Sequence, residues 1–119
     1  MINSKTRNQF EKNGFVIIRK FIKKNEIKKI FSQMDHVLNT ILKYNKIKYN
    51  KKMSIDDKYF LLKRKRPILK SHFYDSIRIL DSLNNIVYST KITQTIKKLL
   101  NTNTVFVTNH RLRTDHKNE

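Results

Sequence analysis

Four histidines, at positions 36, 72, 110 and 116, are the most versatile chemical groups in this sequence, and no cysteine accompanies them. Without thiols there is no disulfide framework, no thiol nucleophile and no Cys-based zinc site. Asp56 and Asp57 are adjacent at a predicted helix start, where the helix dipole accounts for them, so they do not form a general acid/base pair. A single glycine excludes a Gly-rich phosphate loop, and no nucleophile motif supports a Ser/His/Asp constellation. His36 and His72 fall within predicted helices and read as surface or boundary residues. Two polar groups remain. Lys63, Arg64, Lys65 and Arg66 form the one dense basic run, which suits a phosphate contact or a localisation patch, and equally a solvated connection. Asn109, Arg111 and Arg113 share one face of a β-patterned stretch, with His110 on the other.

The 119 residues that position these groups allow one small domain. Ile (15), Leu (10), Phe (7) and Val (5) supply enough apolar side chains to bury a core, so wholesale disorder is excluded. No apolar run reaches the length of a membrane span, and the opening residues lack the hydrophobic stretch of an export signal. A cytoplasmic protein is the expectation. The net charge of +18 suggests a polyanionic partner, nucleic acid or another anionic surface. A competing cause is codon usage: Lys (20), Ile (15) and Asn (13) have A/T-rich codons, Gly and Pro occur once each, and Ala is absent. The lysines spread from Lys5 to Lys117 without a regular aromatic partner for base stacking, which favours the compositional cause.

Local patterning predicts the elements. Ser4 suits an N-cap before a short helix over 6–13, which Gly14 would end in a left-handed conformation. Residues 15–18 (FVII) read as a strand. A long helix opens at 23–25 and runs to about Tyr44, with Ile27, Ile30, Phe31, Met34, Leu38, Ile41 and Leu42 on one face. Residues 45–52 form a lysine-rich connection. Ser54 and Asp57 then cap a short helix through Leu62. Pro67 suits the first turn of a helix carrying Ile68, Leu69, Phe73, Ile77 and Leu80, continuing to about Leu83 and broken by Asn84-Asn85. Ser89 or Thr90 caps a last helix with Ile92, Ile96, Leu99 and Leu100 facing inward, ended by Asn101. Residues 104–114 alternate as a strand. The predicted fold is therefore α+β, mostly helical, with two or three short strands. It would be one partial domain over 1–119 that includes a basic connection and short helix over 45–66.

Three stretches carry a family resemblance. Residues 10–18 (FEKNGFVII) with 21–27 (FIKKNEI) resemble the opening of the phytanoyl-CoA dioxygenase family: a phenylalanine, an acidic residue and a Gly-Phe pair leading into a strand and an acidic helix start. Residues 96–101 (IKKLLN) are similar to the family's helix ending in Leu-Leu-Gly, with Asn101 at the glycine position. Residues 105–114 look like the strand before its metal motif. Together these stretches reach across most of the chain.

The resemblance implies a non-haem iron, 2-oxoglutarate-dependent oxygenase that hydroxylates a small-molecule substrate, with opening helices buttressing a double-stranded β-helix (jelly roll). It also implies that Asn109, Arg111 and Arg113 line a cosubstrate or substrate pocket. The phosphate that the basic run at 63–66 suits would be that of a coenzyme A thioester or of a nucleic acid. In such enzymes a His-x-Asp/Glu pair and a distal His hold Fe(II), leaving positions open for 2-oxoglutarate and oxygen. Here the residues two beyond the histidines are Leu38, Tyr74, Leu112 and Asn118. The sequence thus reads as an N-terminal, non-catalytic part of such a protein, with no catalytic or metal residue of its own and no cofactor expected for this chain alone. The alternative is a small basic module for nucleic acid or an anionic surface. A third possibility is an open edge of the last strand joining another chain's sheet.

Overall fold

A computed structural model describes residues 2–106 as six helices in chain order: α1 (Ser4–Asn13), α2 (Lys24–Tyr44), α3 (Ile55–Lys65), α4 (Leu69–Arg78), α5 (Asp81–Val87) and α6 (Thr90–Leu100). No helix among the described residues is long and apolar enough to cross a membrane.

The caps follow local side-chain chemistry. Ser54 accepts from the Asp57 N–H at 3.1 Å, and Ser89 from that of Ile92 at 3.3 Å. At the start of α2, Glu26 reaches back to accept from the Lys23 N–H at 2.8 Å. Asn3, rather than Ser4, caps α1, accepting from the Thr6 N–H at 2.8 Å. Gly14 (φ 74°) and Asn101 (φ 52°) end α1 and α6 in the left-handed region, where glycine and asparagine carry the least penalty.

The predicted α+β class is overturned, since every regular element among the described residues is a helix. Residues 15–18 form no strand: a strand needs a partner to receive its backbone hydrogen bonds, and none is paired with them. The predicted strand at 104–114 begins irregularly at 104–106, and the remainder lies outside the described residues. The single helix expected up to about Leu83 is two helices, separated at Ile79 and Leu80, while Asn84 and Asn85 lie inside α5. A tertiary contact moves that break. The Gln33 side chain on α2 accepts from both the backbone N–H (3.3 Å) and the hydroxyl of Ser82, so α2 caps the first turn of α5.

The core belongs to the middle of the chain. Met34, Leu38 and Leu42 of α2 pack with Tyr59 and Leu62 of α3 and with Leu69, Phe73 and Ile77 of α4. Leu80 and Leu83 add half-buried cover from the α4–α5 stretch. Helices α1 and α6 contribute no buried residue; they pack on each other.

Candidate functional site

Among the described residues no group of three or more His, Asp or Glu side chains could hold a metal ion. His36 on α2 and His72 on α4 are exposed, and their backbone carbonyls accept from the hydroxyls of Thr40 and Ser76. The donor set of residues 2–106 therefore does not fit an iron centre. Asn109, Arg111 and Arg113, and with them His110 and His116, lie outside the described residues.

What the described residues do build is an apolar face at the junction of the two helix groups. Gly14 turns the chain out of α1, and residues 15–18 form no regular element before a turn where Lys20 adopts φ 55°. Lys91 of α6 holds the far end, donating to the Phe21 carbonyl with its ammonium 4.3 Å from the Phe21 ring centroid. Phe15 stays 60% exposed and Ile17 69%, and Ile22, Ile27 and Phe31 are exposed beside them in sequence. A groove of about 900 Å³ follows, walled by Val16, Ile18, Phe21, Ile22 and Ile27 and edged by Lys20, Lys23 and Lys24. Apolar surface left in water has a cost, and an apolar groove of this kind is suited to a contact.

The basic run lies on the last turn of α3 and just beyond it, split from its expected place in a connection. Lys63, Arg64 and Lys65 are helical and Arg66 is the C-cap. Lysine and arginine there complement the partial negative charge of the helix end. Arg66 Nη1 also lies 3.5 Å from Asn45 Oδ1, the C-cap of α2.

One polar group escaped the sequence reading. Lys58 is 1% exposed; its ammonium donates to Asp35 Oδ1 at 2.7 Å and stands 5.9 Å from the Tyr49 ring centroid. Asp35 Oδ2 accepts from Asn39 Nδ2 at 3.0 Å, and the Tyr49 hydroxyl donates to the Asn39 carbonyl at 3.3 Å. The signal was available: Lys58 lies between Ile55 and Leu62, on the stripe that α3 turns inward. A charge on such a stripe requires a partner. The group joins α2, the 45–54 connection and α3, and its chemistry is structural.

A family model described as phytanoyl-CoA dioxygenase matches residues 10–118 of the chain. No curated protein and no solved structure matches it.

Proposed function

Because the chain belongs to the phytanoyl-CoA dioxygenase family, whose members generally depend on Fe(II) and 2-oxoglutarate, we propose that residues 2–106 are the helical flank of an oxygenase of that kind, acting as scaffold and not as reaction centre. The observation that carries this reading is the series of exposed large apolar residues Phe15, Ile17, Ile22, Ile27 and Phe31, beside an apolar groove, on a chain whose own core is already closed by α2–α5. Such a surface is suited to lie against further protein, and the family's barrel is the body it would buttress. Asn109, Arg111 and Arg113 are assigned to the wall of the substrate or cosubstrate pocket in this reading. The substrate would be a small molecule hydroxylated at a C–H bond, with iron ligands supplied by residues other than the four histidines of this sequence.

Two measurements test it. The purified 119-residue chain, given Fe(II) and 2-oxoglutarate, is expected to bind no stoichiometric ferrous ion and to form no succinate; either result in the positive would overturn the scaffold assignment. An environment-sensitive apolar dye is expected to bind the chain, and Phe15→Ser with Ile17→Ser to remove most of its fluorescence at unchanged helix content. Unchanged dye binding would mean that this face is not the contact surface. A second reading, an anionic partner, draws on the charge of +18 and the basic run at 63–66. It predicts binding that weakens steeply with salt.

A further inference from the structure

The contacts between α2 and α3 place two basic segments, distant in sequence, at one end of the bundle. Lys58 meets Asp35, and Arg66 meets Asn45, so the two helices run in the same sense and terminate together. Two helix C-termini bring about one negative charge in total. Around them stand Lys43 and Lys46 from α2 and its turn, and Lys63, Arg64, Lys65 and Arg66 from α3 and its cap. The cations far exceed what the dipoles call for.

Apolar surface also reaches this end. A groove of about 650 Å³ runs along α3 from Met53, before its start, past Phe60 and Leu61 to Lys63, Arg64 and Pro67. Phe60 is 49% exposed, and Ile68, next to Pro67, is 70% exposed. The groove's one acidic residue, Asp57, is at the opposite end of α3, where its carboxylate accepts from the Ser54 hydroxyl at 2.7 Å. The groove belongs to α3 and its flanks, and the face assigned above to the oxygenase barrel is formed by residues 15–31.

We propose that this end of the bundle docks on an anionic phospholipid bilayer. The basic side chains meet the headgroup phosphates and carboxylates, and Phe60 and Ile68 enter the interface between headgroups and acyl chains. Clustered Lys and Arg draw a protein to an anionic leaflet, and adjoining aromatic and aliphatic side chains hold it there. A nucleic acid offers the same phosphate charge, but it is gripped chiefly through hydrogen bonds to phosphates and base edges, which Phe60 and Ile68 cannot make. The proposal does not depend on the oxygenase reading.

The test is co-sedimentation of the full 119-residue chain with vesicles of phosphatidylcholine, alone or mixed with phosphatidylserine. Binding is expected only to the mixed vesicles. Arg64→Glu with Lys65→Glu should weaken it by about tenfold or more. Ile68→Ser, alone and with Phe60→Ser, should weaken it severalfold while circular dichroism stays unchanged; the single variant keeps the test valid if loss of Phe60 disturbs α3. Lys97→Glu with Lys98→Glu on α6 is the control for general charge and should change binding by less than about twofold. An equal loss in that control would overturn the proposal, as would mixed-vesicle binding that survives Arg64→Glu with Lys65→Glu. Tighter binding of a short DNA duplex, lost in the charge variant and untouched by Ile68→Ser, would overturn it in favour of nucleic acid.

Discussion

Lys58 is the one charged side chain buried among the described residues, at 1% exposure, while its partner Asp35 remains about one-third exposed. That asymmetry sets the consequences of substitution. Asp35→Ala strands a buried cation and is expected to destabilise the fold by about 3 kcal/mol. Lys58→Met removes the cation, keeps the aliphatic stem, and leaves a carboxylate that can turn to solvent, so it should cost under about 1 kcal/mol. Urea unfolding of both variants checks the order; equal losses would mean the pair acts through shape and not through charge. The pairing itself could not be read from local sequence, because it joins residues 23 positions apart on different helices.

Helix ends show the opposite case, since a cap is decided within four residues. Ser54, Ser89, Gly14 and Asn101 were all legible as boundaries because the side chain or the positive φ acts on its own neighbourhood. Replacing Ser54 by Ala is expected to remove about 1 kcal/mol, measured as a lower urea midpoint at unchanged slope. Elements whose identity depends on a remote partner were not legible. Residues 15–18 have the composition of a strand and lack the pairing of one. The apolar stripe of 68–83 runs continuously across two helices, and its break is fixed by Gln33 from α2. The family's opening was nevertheless readable in residues 10–27, because a Gly-Phe pair after an acidic residue is a local pattern, and the family match begins at residue 10. The assignment of Asn109, Arg111 and Arg113 to a pocket wall rests on alternation and on the family resemblance, and the three lie outside the described residues.

On the scale of the whole molecule, two groups of helices share few contacts. The α2–α5 group has the closed core, while α1 and α6 lean on each other without a buried side chain. Backbone amides of α1 and α6 are therefore expected to exchange with deuterium well ahead of those in α2–α4, since opening them exposes little apolar area. Uniform protection across all six helices would show that the outer pair is held by more than these contacts. The shared direction of α2 and α3 has a different result. After α2 ends, residues 45–54 must travel back along it before α3 can start, and Ile47 and Tyr49 rest on the core during that return. The connection is thus a fixed strut whose length dictates handedness: a shortened version would oblige α3 to reverse, separating its cationic tip from that of its neighbour and dividing one charged pole into two.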